Sequence, residues 1–205
     1  MRKEVFVVEV DRCIGCKACH VACKQGNSVP LGTDRNRNKQ VGPIGTYPDV
    51  EMYFLQTMCQ QCEDPACVKV CPTGACYKRD EDGIVVIDKD KCIGCRSCER
   101  ACPYELNSYN SELMVMDKCD TCVSRRQNGE DPFCVSVCPG ECLHVGDIND
   151  PDSDVSKLIK EAGDNVYTLP DPEGITPNVR YILKNDKWQP LLPGECRDTM
   201  RGDGR

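Results

Sequence analysis

No run of about 18 apolar residues occurs in this chain, so nothing in the sequence reads as a membrane-spanning helix. Aromatic residues are scarce, at 5%. Leu, Ile, Val and Phe together supply only 42 of 205 residues, close to the level at which burial alone stops sustaining a fold. An excess of positive charge is also missing. The formal net charge is −7 and the isoelectric point about 5.0, which excludes a nucleic-acid-binding surface. The opening residues, MRKEVFVVEVDRC, contain no apolar signal core, cleavage site or twin-arginine pair. The expected location is therefore cytoplasmic, or exported in folded form with a partner bearing a twin-arginine signal. There is no nucleophile–base pair, phosphate loop or open metal site, so no substrate site of the chain's own is expected.

What is abundant is cysteine, with 19 residues. The number is odd and the cysteines come in tight CxxC groups, which suits thiolates around a metal centre better than cross-links between distant segments. Group one is Cys13, Cys16, Cys19 and Cys23; group three is Cys92, Cys95, Cys98 and Cys102; both read CxxCxxCxxxC. Group two, Cys59, Cys62, Cys67 and Cys71, widens its middle gap to four residues. Group four, Cys119, Cys122, Cys134 and Cys138, widens it to eleven. Pro72, Pro103 and Pro139 follow the last cysteine of groups two to four, and Lys24 follows group one. This is the run of bacterial ferredoxins, in which three cysteines hold one [4Fe–4S] cluster and the fourth ligates its neighbour. Structural zinc uses CxxC pairs but has no need of the third cysteine or of the fourth before proline. A radical-generating cluster needs an iron left open, and no group is short of a ligand.

Internal repeats predict how the groups pair. DRCIGCKACHVAC (11–23) matches DKCIGCRSCERAC (90–102) at an offset of 79, and EDPACVKVCP (63–72) matches EDPFCVSVCP (130–139) at an offset of 67. Between groups two and three, Asp82–Gly83 is a turn signal between short strand-like runs, the hairpin of a two-cluster ferredoxin. Groups two and three then form one module, and groups one and four another. The crossing rule assigns four ligand sets: Cys13, Cys16, Cys19 with Cys138; Cys59, Cys62, Cys67 with Cys102; Cys92, Cys95, Cys98 with Cys71; and Cys119, Cys122, Cys134 with Cys23. The expected fold is α+β, two fused, interleaved ferredoxin-like modules with small antiparallel sheets and short helices. The outer module takes 1–58 and 103–150, with a long loop at 24–50. The inserted module takes 59–102, and 151–205 forms a C-terminal extension ending in an irregular tail.

Over residues 4–183 the chain resembles the four-cluster electron-transfer subunits of the dimethyl-sulfoxide reductase family, the group that includes polysulfide, thiosulfate and arsenate reductases. Beyond the cysteines, the likeness rests on GTYPDV (45–50), CPTGA (71–75), DKC (117–119), DPFCVSVCP, GDINDPDSDVSKL (146–158) and TPNVRYIL (176–183). The resemblance implies a wire of four [4Fe–4S] clusters carrying electrons to or from a large molybdenum- or tungsten-pterin (bis-guanine dinucleotide) catalytic subunit. In many such complexes a quinone-linked membrane subunit is added. A polyferredoxin carrier, or the small subunit of a hydrogenase or formate dehydrogenase, would carry the same cysteines without the GDINDPDSDVSKL and TPNV segments.

Other residues carry weaker signals. Cys76, Cys142 and Cys196 fall outside the ligand pattern; Cys142 reads as a small packed hydrophobe and Cys196 as an exposed thiol. His20 and His144 read as hydrogen-bonded or exposed. Lys17 and Arg96 occupy matching positions beside their cysteine turns. The basic cluster Arg35, Arg37 and Lys39 belongs to a stretch that would dock a partner or cover cluster edges. Ser153 or Asp154 caps a helix running to Ala162, which Gly163 ends.

Overall fold

The computed structural model describes residues 2–172 and 174–184. The expected tail, and Cys196 within it, lie outside the described residues apart from Lys184.

Strand β1 (Glu4–Glu9), EVFVVE, is apolar on both faces and buried along most of its length, as a central strand should be. It pairs antiparallel with β8 (Leu143–Asp147) and parallel with β10 (Arg180–Ile182). The two-residue β9 (Val166–Tyr167) completes a sheet of order β8-β1-β10-β9. Helix α6 (Asp154–Ala162) lies over this sheet, with Val155 and Ala162 packed against Val5, Val7 and Ile182. Its N-cap is Ser153, whose hydroxyl oxygen accepts from the Ser156 amide at 3.2 Å; Gly163, at φ +56°, closes it. Residues 151–183 thus include a helix and two strands of the sheet built on the N-terminal strand.

Three hairpins complete the strands: β4 (Cys76–Lys78) with β5 (Val85–Ile87), β6 (Asn107–Asn110) with β7 (Val115–Lys118), and β2 (Asn36–Thr46) with β3 (Asp49–Met58). The last corrects the expectation of a long loop at 24–50. Strand β2 reads NRNKQVGPIGT, polar before Val41, and so shows no apolar alternation. The reason is what it faces. The Asn36 and Asn38 side chains donate to the Cys19 carbonyl and the Cys13 sulfur, both at 3.3 Å, so polar positions point inward. Gly42–Pro43, which reads as a chain break, is absorbed by a register shift between Val41 and Ile44 with Gly42 at φ +98°.

The helices that carry cysteines are short: α1 (Ala18–Gly26), α2 (Ala66–Lys69), α3 (Ser97–Arg100) and α5 (Phe133–Ser136), with α4 (Val123–Gln127) directly after Cys122. The thiols are part of the core. Cys19, Cys62, Cys119 and Cys134 pack in one buried cluster with Phe6, Val8, Tyr53, Leu55 and Tyr181. A chain poor in large aliphatic side chains therefore fills its interior partly with sulfur.

Candidate metal centres

The repeated CIGC turns have the same backbone. Gly15 and Gly94 sit at φ +68° and +66°, and the following Lys17 and Arg96 both sit at φ +61°, just before α1 and α3. Left-handed residues curl each turn so that three sulfurs face one point, and the helix then carries the fourth cysteine away. At Gly94 the space for a side chain is filled, since a Cβ would lie 2.5 Å from the Met114 carbonyl oxygen.

Three enclosed spaces follow from these turns. The first is lined by Cys13, Cys16, Cys19 and Cys138, with Cys142 beside them. The second is lined by Cys23, Cys119, Cys122 and Cys134. The third is lined by Cys71, Cys92, Cys95 and Cys98, with Cys76 beside them. Of the sixteen grouped cysteines, each lining takes three from one group and one from another. The remaining four, Cys59, Cys62, Cys67 and Cys102, act on one another electrostatically: the Cys62 thiol is pushed up by burial first and then by Cys59, Cys102 and Cys67.

The donor set fits an iron–sulfur cluster better than a single ion. Tetrahedral zinc with Zn–S near 2.3 Å would draw its thiols to within roughly 3.8 Å of each other. Among the described residues, no three His, Cys, Asp or Glu side chains converge closely enough to hold one metal ion. Thiols spaced around a void suit an inserted multi-atom cluster. Burial pushes the thiols up, to about 12 for Cys19 and about 11 for Cys23, so binding must displace protons that the iron charge replaces.

Several side chains near the sulfurs escape any reading of cysteine spacing. Asn27 donates toward Cys23 at 3.6 Å, and the amides of Met116 and Cys76 donate to the sulfurs of Cys92 and Cys71, both at 3.3 Å. Cys142 is buried, as expected of a packed small residue, and its sulfur is 3.4 Å from that of Cys138. Its interaction with Cys13 lowers the Cys13 thiol and raises that of Cys142. Arg35 is buried and forms a two-point ion pair with Asp117, Nε and Nη2 donating at 2.9 and 2.8 Å. His20 pairs with Asp34 and His144 with Glu9, each at 2.9 Å. For Asp117 and Lys118 the one sequence signal is the DKC motif. Arg35 carries only the signal of a basic cluster that would dock a partner or cover cluster edges, whereas the structure buries it against Asp117; the asparagines have no sequence signal.

The cysteine-lined voids, short helices and small sheets define a ferredoxin-like iron–sulfur protein. Two family models, each described as a 4Fe-4S dicluster domain, match residues 50–148 and 12–75. The chain is 41% identical to the iron–sulfur subunit of a putative dimethyl sulfoxide reductase of Halobacterium salinarum, over 94% of this chain and 82% of that protein. It is 38% identical to a sulfite dehydrogenase subunit of Allochromatium vinosum, over 95% and 89%. A tetrathionate reductase subunit of Salmonella typhimurium is 36% identical, over 95% and 78%. The chain belongs to the family of iron–sulfur electron-transfer subunits of dimethyl sulfoxide reductase-type oxidoreductases. Its part is electron transfer and not catalysis, and its cofactors are [4Fe–4S] clusters. No helix among the described residues is long and apolar enough to cross a membrane.

Proposed function

We propose that sixteen cysteines hold four [4Fe–4S] clusters in crossed sets: Cys13, Cys16, Cys19 and Cys138; Cys119, Cys122, Cys134 and Cys23; Cys59, Cys62, Cys67 and Cys102; Cys92, Cys95, Cys98 and Cys71. The single observation that carries this reading is the lining of the three voids, each completed by a cysteine from another group. The outer module comprises 1–58 and 103–150, and the inserted module 59–102. Antiparallel pairing of β1 with β8 and of β4 with β5 supports that division. Held by these cysteines, such clusters would supply one-electron storage and transfer. The chain's own residues set their spacing, exclude water through the shared core, and direct amides at ligand sulfurs. The four sets then run from the Cys13 set through the Cys119 and Cys59 sets to the Cys92 set. Both end sets have one exposed cysteine, Cys16 and Cys95, next to the exposed Ile14 and Ile93. Electrons enter and leave there, one end serving a molybdenum- or tungsten-pterin catalytic subunit and the other a further carrier such as a quinone-linked membrane subunit. The complex works in the cytoplasm, or beyond the membrane when its partner carries the export signal.

Anaerobic iron and acid-labile sulfide analysis should find about sixteen of each per chain, with reduced-state EPR of interacting cubanes. About twelve or fewer in intact protein would overturn the four-cluster reading. Co-purification with a large subunit containing molybdenum or tungsten tests the partner; a colourless zinc protein would refute both.

A further inference from the structure

Lys118 ends β7 with its side chain 2% exposed. Its ammonium donates to the Val85 carbonyl of β5 and, at 3.1 Å, to the Cys119 carbonyl. Both acceptors are neutral. The neighbouring Asp117 is already taken, since both of its carboxylate oxygens accept from Arg35. A buried ammonium held only by carbonyls is costly unless negative charge lies close by. Burial works against this charge first, and the thiols of Cys59, Cys67, Cys76 and Cys119 favour it.

A structural tie does not account for this charge. Gln61, 1% exposed, already joins the same two residues: its Nε2 donates to the Cys119 carbonyl at 3.1 Å and its Oε1 accepts from the Val85 amide at 2.7 Å. A neutral side chain makes the connection, and Lys118 repeats it with a positive charge. Cys59 and Cys67 belong to one proposed ligand set and Cys119 to the other, so the charge lies where the two modules meet.

We propose that Lys118 is the internal counter-charge of the two central clusters and holds their reduction potentials up, so that each accepts an electron more readily from its neighbour at the end of the row. The proposal rests on the ligand sets assigned above. A fixed positive charge in a poorly screened interior favours the state of its neighbours with one more electron. The electron arrives and leaves without a proton.

The test is an anaerobic redox titration of the full chain, followed by EPR and resolved into its components, in the parent and in Lys118→Gln. Glutamine keeps a donor for the carbonyls and removes the charge. Iron and sulfide content is measured first. A parent without four clusters sinks the ligand assignment, and with it this proposal, before any variant is compared. With four clusters in both proteins, two components should shift downward by at least a tenfold change in the reduction equilibrium, about 59 mV for one electron. The other two should stay in place. Unchanged potentials, or an equal shift in all four, would overturn the proposal and leave Lys118 as a structural tie. If the glutamine variant does not load its clusters, Lys118→Arg decides. Full loading at near-parental potentials supports the charge, and failure to load there too assigns Lys118 a steric role.

Discussion

At the scale of single residues, this protein places polar and charged side chains where an ordinary core would hold aliphatic ones. Arg35 and Asp117 are each about 6% exposed and bonded at two points. Arg35→Met leaves the Asp117 carboxylate buried with only the Lys118 amide as donor and no opposite charge bonded to it, and should cost about 3–5 kcal/mol. Anaerobic urea unfolding of the loaded protein measures it; a change below about 1 kcal/mol would mean that water reaches the carboxylate. Gly15 and Gly94 offer a paired comparison. Both lie in the left-handed region, so alanine costs each roughly 1–2 kcal/mol. A Cβ at Gly15 would meet the Phe54 ring, which can rotate aside, whereas at Gly94 it would meet the Met114 carbonyl oxygen at 2.5 Å. Gly94→Ala should therefore lose more cluster than Gly15→Ala, read as iron retained per chain after equal purification. Equal losses would show that the backbone angle alone matters.

At the scale of elements, the C-terminal segment binds the first half of the chain together. Asn178 donates from its side chain to the Gln61 carbonyl at 2.7 Å and from its backbone to the Gln60 carbonyl at 2.8 Å. The Glu63 amide donates to the Thr176 carbonyl at 2.8 Å. This fixes the turn carrying Cys59 and Cys62 from outside its own module. Asn178→Ala leaves a buried carbonyl without its donor and should cost about 1–3 kcal/mol. The expected readout is faster bleaching of the visible cluster absorbance under mild denaturant, and an unchanged rate would count against the clamp. The TPNV motif was visible in the sequence, and so were the α6 cap and stop, because capping is local. The β2–β3 hairpin was hidden, because strand alternation signals burial against apolar surface. The inner face of β2 meets thiols and carbonyls instead, through Asn36 and Asn38.

At the scale of the whole molecule, the cofactors are expected to be part of the folding energy. Few large aliphatic side chains are available, and thiols occupy the main buried cluster. Complete removal of iron by a chelator should unfold the chain and not leave a compact apo form. Near-native circular dichroism and protease resistance after chelation would refute this. Crossing is tested by Cys71→Ser, which should damage the cluster of Cys92, Cys95 and Cys98 while that of Cys59, Cys62 and Cys67 survives. Loss of the Cys13 set instead would mean that neighbouring groups pair in sequence order.

The sequence by itself determined the class of cofactor and of protein. CxxC turns, the third and fourth cysteines and their prolines are short-range chemistry, complete within one short stretch of chain for each group. It also predicted the β4–β5 hairpin, from an Asp–Gly turn between strand-forming runs. The parallel alignment of β10 beside β1 came only with the tertiary structure. So did the pairing of Arg35 with Asp117 and the approach of Lys118 to two cysteine groups at once. Most of those contacts join residues separated by tens of positions, and their energy depends on what else is buried beside them. No local pattern encodes that: the DKC motif marks Lys118, but its burial between Val85 and the Cys119 backbone appears only in the fold.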